Sequence, residues 1–175
     1  MEKGLVHVYT GTGKGKTTSA VGLALRALSH GKNVCYAYFN KKPGKYGYTE
    51  IDSLKKLGAV IKGLTDEHPF FNKSITKEQH KEKTHTGINI LAEFLSSNDF
   101  DMLIMDEILI SVRDGFLEEE MLIDFIKNKP VSMELVMTGR AATNKIIELA
   151  DYVSETEKVK HPMDNGIMGR EGIEF

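Results

Sequence analysis

Two rhythms of apolar and polar positions alternate along the chain. Short, nearly continuous apolar runs at residues 5–9, 33–39, 59–61, 102–105, 134–137 and 152–154 predict strands, those at 102–105 and 134–137 buried. Between them apolar residues recur every three or four positions. That spacing predicts helices over 17–29, closed by Gly31; 50–57, closed by Gly58; 76–96, with Ile88, Leu91, Ala92 and Leu95 on one face; 117–127, stopped before Pro130; and 141–150. Strand and helix alternate from end to end, which implies an α/β domain with helical crossovers between parallel strands. Two stretches break the pattern. Residues 40–48 hold Lys41, Lys42, Pro43, Gly44, Lys45 and Gly47 and predict a mobile basic loop, while 63–74 is irregular around Pro69, Phe70 and Phe71.

The polar tail over 158–175 shows neither period. The chain has no internal repeat or linker, so 1–175 is expected to form one domain. Hydrophobic residues make up 41% and charged residues 27%, a balance that argues for a packed core over disorder. A net charge of −2 gives no reason to expect nucleic acid as a partner. The lysines over 73–83 are interleaved with Glu78 and Glu82, as on a solvated helix face. No apolar stretch approaches the about 20 residues of a membrane span, and no leader precedes the first strand. Cys35 is the only cysteine, so no internal disulfide can form and a cytoplasmic location is expected. His7, His30, His68, His80, His85 and His161 show no zinc-site spacing.

Candidate chemistry begins directly after the first strand. Gly11, Thr12, Gly13, Lys14, Gly15, Lys16, Thr17 and Thr18 lie between a strand and a helix, the context of a phosphate-binding loop. Glycines let successive N–H groups converge on phosphate oxygens, and the helix directs its positive end there. Lys16 is placed to neutralise phosphate and the Thr17 hydroxyl to ligate Mg²⁺, so ATP with Mg²⁺ is the expected ligand. Thr10 stands where the usual pattern has its first glycine. The expected architecture is therefore a doubly wound, mostly parallel sheet of about five or six strands, a RecA-like P-loop NTPase fold.

The strand at 102–105 runs into Asp106 and Glu107. At the carboxyl end of a strand near a phosphate loop, Asp106 is expected to hold Mg²⁺ directly or through water. Glu107 is expected to orient a substrate or, in a hydrolase, the attacking water. Acids in a strand-to-helix turn also serve as N-caps, the plainer reading of the pair.

One fold hosts many reactions, and the wider pattern narrows the choice. The loop from Thr10 to Thr18 is followed by Arg26 and Gly31-Lys32-Asn33-Val34, then Leu103-Ile104-Met105-Asp106-Glu107 and Val136-Met137-Thr138-Gly139-Arg140. Ile147-Glu148-Leu149-Ala150-Asp151-Tyr152-Val153-Ser154-Glu155, Lys158-Val159-Lys160-His161-Pro162 and Gly172-Ile173-Glu174-Phe175 complete the series. Together these segments resemble the ATP:corrinoid adenosyltransferases of the CobA/BtuR (CobO) type. The resemblance implies transfer of the 5′-deoxyadenosyl group of ATP to the Co(I) of a reduced corrinoid such as cobalamin, with release of triphosphate. It also implies a role in cobalamin biosynthesis, a homodimer and a reductase that supplies Co(I). Lys16, Thr17, Asp106 and Glu107 become the catalytic set. Arg140 becomes an anchor near the nucleotide or the sheet edge, against the alternative of a plain surface arginine, and His161 a residue over the corrinoid or a dimer partner.

Two stretches depart from the resemblance. The family carries a Phe and Trp pair after its third strand, where this chain has Gly63-Leu64-Thr65-Asp66-Glu67 and no tryptophan at all. Phe70 and Phe71 either take over that role or pack in the core. After the second strand, Tyr38-Phe39-Asn40-Lys41-Lys42 replaces the family's usual turn. A P-loop ATPase or kinase, or an ATP- or corrinoid-binding protein without the transfer reaction, are the competing readings.

Overall fold

Backbone hydrogen bonds join six strands edge to edge in the order β3-β2-β4-β5-β1-β6, and every neighbouring pair is parallel. This computed structural model describes residues 3–42, 44 and 48–174. The loop expectation for Pro43, Lys45 and Gly47, and the Phe175 end of the last motif, lie outside the described residues. The elements run β1 (Val6–Gly11), α1 (Lys16–Ser29), β2 (Val34–Tyr38), α2 (Thr49–Lys56), β3 (Val60–Gly63), α3 (Lys77–Ser96), β4 (Met102–Asp106), α4 (Ile108–Arg113), α5 (Glu119–Lys127), β5 (Glu134–Thr138), α6 (Asn144–Leu149) and β6 (Tyr152–Thr156). A 3₁₀ turn follows at Pro162–Asn165.

The two-residue period of the strands divides the core into two layers. Val6 and Val8 of β1, Cys35 and Ala37 of β2, Leu103 and Met105 of β4, and Leu135 and Met137 of β5 face α3, α4, α5 and α6. The alternate residues Val34, Tyr36, Met102, Ile104 and Val136 face Ala20 and Ala24 of α1 and Ile51 and Leu54 of α2. Continuing that alternation by one step sets Asp106 and Thr138 on the α1 side of the sheet. Because all strands are parallel, their carboxyl ends gather at one edge, where the direction of winding reverses. β1 connects through α1 to β2 on one side, and β5 connects through α6 to β6 on the other.

Helix ends agree with the sequence pattern where capping chemistry is explicit. Thr76 caps α3 by accepting from the Gln79 N–H at 3.2 Å, and the Gln79 side chain accepts from the Thr76 N–H at 2.9 Å. Two elements carry no sequence expectation. Ile108–Arg113 is rich in β-branched residues of low helix propensity, yet it winds as α4 because Ile108, Leu109 and Ser111 are buried against the sheet. The 3₁₀ turn interrupts the tail, with His161 as its cap: its Nδ1 accepts from the Met163 N–H at 3.2 Å. Among the described residues no helix is long and apolar enough to cross a membrane.

Candidate nucleotide and corrinoid site

The turn after β1 is shaped by close approach to β6. A Cβ on Gly11 would stand 2.3 Å from the Thr156 carbonyl oxygen, and one on Gly13 would stand 2.7 Å from that of Glu157. Both positions therefore exclude any side chain. The Gly13 N–H donates to the Thr156 carbonyl at 2.8 Å, and the Thr156 hydroxyl donates to the Thr10 carbonyl at 3.0 Å. Thr10 in turn braces the loop from the other side. Its buried hydroxyl accepts from the Ala142 N–H at 3.1 Å and ties the strap after β5 to the loop. Gly15 turns into α1 with φ +115° and meets nothing within 4 Å. No side chain caps α1 at Gly15, so the first-turn N–H groups of Lys16, Thr17 and Thr18 are left without a side-chain acceptor at the helix start.

Lys16 folds its ammonium back onto the Gly13 carbonyl, with the Thr156 hydroxyl at 3.5 Å. Burial and the nearby Arg140 lower its pKa, against the pull of Glu107. Lys14 reaches outward to the Ile173 carbonyl at 3.0 Å and to Glu174 at 2.9 Å, so the tail lies across the mouth of the loop. The Thr12 hydroxyl accepts from the Lys158 N–H at 3.2 Å.

Asp106 is fully buried, and each of its oxygens has two donors. Thr17 donates to Oδ1 at 2.9 Å and Thr138 at 2.6 Å, while Tyr36 donates to Oδ2 at 2.8 Å and the Lys41 ammonium pairs with the same oxygen. Burial alone would raise its pKa, but Lys41 and the hydroxyl donors outweigh burial and hold the carboxyl below the ordinary range. Burial would lower the pKa of Lys41, and Asp106 with Glu107 raises it instead. Lys41 and Asn40 thus correct the mobile-loop expectation: Lys41 is 4% exposed and Asn40 6%. Tyr36 and Asn40 carry no functional signal in the sequence. Only register could reveal this set: β2 and β4 pair so that Tyr36 lies beside Ile104 and Tyr38 beside Asp106.

Glu107 stands at φ +64° with its N–H donating to the Thr138 hydroxyl at 2.9 Å. It occupies the N-cap position of α4 but makes no side-chain cap hydrogen bond. Burial pushes its carboxyl up to about 7, against the pull of Lys41 and with the push of Asp106. Gly139 sits so close to α4 that a Cβ would stand 2.7 Å from that of Leu109, and Arg140 follows it into the open.

Two cavities meet over these residues. The smaller, about 630 Å³, lies between the phosphate loop and the tail and is lined also by Glu107, Arg140, His161 and Met168. The larger, about 720 Å³, opens between α1, the segment after β2 and the segment after β3, with Lys41, Tyr48, His68, Phe70 and Phe71 on its walls. Thr17, Thr18, Glu107, Ile110 and Arg140 belong to both. The family model for ATP:corrinoid adenosyltransferases BtuR/CobO/CobP matches residues 2–175. The chain belongs to this family.

Its relatives agree with that match. A corrinoid adenosyltransferase of Pseudomonas aeruginosa is 33% identical over 174 residues, covering 99% of this chain and 85% of that protein. Corrinoid adenosyltransferase CobA of Salmonella typhimurium is 34% identical over 178 residues, with coverage of 99% and 87%. Among solved structures, the KaiC-like protein PH0186 of Pyrococcus horikoshii OT3 aligns with a TM-score of 0.54 at 16% identity, over 90% of this chain and 74% of that one. At that identity the likeness speaks for the fold alone, and it agrees with the RecA-like α/β expectation.

Within the adenosyltransferase frame, the departures noted in the sequence acquire places. Leu64 is half-buried and packs against the core, and Asp66 pairs with Lys83. Phe70 and Phe71 are 68% and 63% exposed on the wall of the larger cavity, so the core-packing reading of both is set aside. Their rings stand edge to face, 5.1 Å apart. Arg140 lies at the junction of the two cavities, and Arg26 is exposed on α1, outside the residues lining either cavity.

Proposed function

We propose that this adenosyltransferase binds ATP with Mg²⁺ in the smaller cavity and a reduced corrinoid in the larger, and joins them at their common wall. The adjoining cavities carry the reading, because Thr17, Glu107 and Arg140 line both. In the reaction an electron pair of Co(I) attacks C5′ of ATP. A Co–C bond forms, the C5′–O bond breaks, and triphosphate leaves with that bonding pair. Co(I) is the nucleophile, so the protein supplies positioning and charge stabilisation in place of a base.

Each residue of the phosphate loop fits that work. The N–H groups of the first turn of α1 and the ammonium groups of Lys14 and Lys16 neutralise the leaving triphosphate. Thr17 offers a hydroxyl to the metal. Four donors fill the about four lone-pair sites of the Asp106 carboxylate, so it acts through Thr17 and not as a direct ligand. Among the described residues no cluster of three His, Cys, Asp or Glu side chains could hold a metal, which suits a cation shared between one hydroxyl, water and phosphates. When bound there, Mg²⁺ draws negative charge from the phosphate oxygens.

The larger cavity sets the rings of Tyr48, Phe70 and Phe71 beside charged groups such as Lys42 and Arg113, which suits a flat macrocycle with a polar rim. Phe70 and Phe71 present rings in place of the family's Phe and Trp pair. His68, on the same wall, has both nitrogens engaged: Nε2 with Asp114 at 2.8 Å and Nδ1 with the Phe70 N–H at 3.0 Å. It is committed to the loop and is no axial ligand for cobalt. A homodimer, a reductase that supplies Co(I), a cytoplasmic location and a place in cobalamin biosynthesis belong to the same proposal.

Anaerobic incubation with ATP, Mg²⁺ and chemically reduced Co(I) cobalamin tests it. Light-sensitive adenosylcobalamin and triphosphate should form in equal amounts. Inorganic phosphate or ADP without adenosylcobalamin would replace this reading with an ATPase or kinase, in which Glu107 positions water or an acceptor hydroxyl.

A further inference from the structure

Asn40 follows β2 at φ +58° and is buried, and each of its polar groups is engaged. Its N–H donates to the Thr65 hydroxyl at 2.7 Å, and its carbonyl accepts from the His68 N–H at 3.3 Å. Its side-chain Nδ2 donates to the Glu107 carbonyl at 3.2 Å and to the Ser111 hydroxyl at 3.0 Å, while Oδ1 accepts from His80 Nε2 at 2.8 Å. Thr65 and His68 belong to the segment that carries Phe70 and Phe71 into the larger cavity. Glu107, which lines the smaller cavity, stands between β4 and α4, and Ser111 lies within α4. One side chain and its own peptide groups therefore bridge the walls of both cavities.

The chemistry of the position selects asparagine. Its backbone conformation is one that asparagine and glycine adopt readily. The contacts demand a side chain that donates twice and accepts once, which glycine lacks and aspartate cannot supply. The tie is stiffened from both sides. Asp114, which ends α4, holds His68 at 2.8 Å, and Lys41, the next residue, pairs with Asp106. These bonds tie the aromatic segment to the Glu107 backbone.

We infer that Asn40 is a positioning residue that couples the two substrate cavities, so that seating the corrinoid against the aromatic segment aligns the acids at the nucleotide. The inference rests on the function proposed above. Coupling of this kind is reciprocal, and its usual size is a change of roughly 5- to 150-fold in one ligand's affinity when the other is bound.

The test compares the 175-residue protein with Asn40→Gly, which keeps the backbone conformation and removes the side chain. MgATP affinity is measured by calorimetry with and without saturating cob(II)alamin, beside kcat, both KM values and the melting temperature. Wild-type protein should show a coupling factor of at least about fivefold, falling toward one in Asn40→Gly. The variant should lose about ten- to a hundredfold in kcat while both KM values stay within about threefold. Thr65→Val removes only the hydroxyl that accepts from the Asn40 N–H, and it carries the same expectation if the glycine variant does not fold. A folded variant with the wild-type coupling factor and kcat overturns the inference. So does a loss of kcat matched by parallel rises in both KM values, the mark of a merely structural role, or a wild-type factor of one. Failure of wild-type protein to bind cob(II)alamin at all counts against the corrinoid assignment itself.

Discussion

Thr17, in the first turn of α1, and Asp106, at the end of β4, lie 89 positions apart and are joined by a 2.9 Å hydrogen bond. The bond fixes the hydroxyl that faces the phosphate cradle. Orientation of that hydroxyl is set by the sheet and not by the loop, because Asp106 is itself locked by Thr138 and Tyr36. Thr17→Ala removes both the hydroxyl proposed to meet Mg²⁺ and a donor to a buried carboxylate. The lost hydrogen bond to a buried charge should cost about 1.5–3 kcal/mol of stability, and the lost hydroxyl should weaken MgATP binding, with Thr17→Ser retaining most of both. Calorimetry with MgATP checks this; a Thr17→Ala protein that binds as tightly as wild type would remove Thr17 from the metal site.

Lys41→Met leaves Asp106 charged, buried and one donor short. Breaking one side of a buried ion pair costs about 3–5 kcal/mol, measurable by urea denaturation at pH 7. The pH dependence has a definite sign. The depressed pKa of Asp106 gives stability that is present above its unfolded value and lost as pH falls through the folded one. The raised pKa of Lys41 gives stability that is present below its unfolded value and lost as pH rises through the folded one. The pair therefore stabilises the fold between about pH 4 and pH 10. In Lys41→Met the carboxyl can take up a proton, so the deficit should narrow as pH falls toward 4.

Why Lys41 is legible only in the structure is a matter of register. The strand periods, the phosphate loop and Asp106 each announce themselves within a few consecutive residues, and the fold class follows from their order. Asp106 is recognisable because an apolar strand leads into it. Lys41 sits instead in a lysine-, proline- and glycine-rich stretch whose composition is that of a surface loop. Its partner is 65 residues away, and the pairing of β2 with β4 is what brings the two together. Helix α4 is hidden for a related reason: Ile108-Leu109-Ile110 has no helical amphipathic period, and burial against the sheet overrides its propensity.

Glu107 should impose a pH dependence of the opposite kind. Burial raises its pKa from 4.5 to about 7, so between those values the folded state holds a proton that the unfolded state has released. Stability should fall as pH rises through that window and level off above it, by at most on the order of 3 kcal/mol. Glu107→Gln should flatten this slope. Urea midpoints at pH 5 and pH 8 for the two proteins give the comparison, and a slope that survives the substitution would assign it to another group.

Phe70 and Phe71 provide the sharpest separation between the two cavities. Both rings are largely exposed, so replacing both by alanine should change stability by no more than about 0.5 kcal/mol, the range for surface sites. Neither lines the smaller cavity, and MgATP affinity should stay as it is. Corrinoid binding should suffer, because burying a phenylalanine side chain against a ligand is worth roughly 1.5–3 kcal/mol, or about tenfold or more per ring. Cob(II)alamin is the informative probe. Its absorption and electron paramagnetic resonance spectra report whether the lower face of the corrinoid keeps an axial ligand when bound. Wild-type protein with MgATP should convert part of it to the four-coordinate form, and the double variant should not. A double variant that still makes that form would place the lower-face contact elsewhere on the cavity wall and leave the exposure of these rings without a catalytic reason.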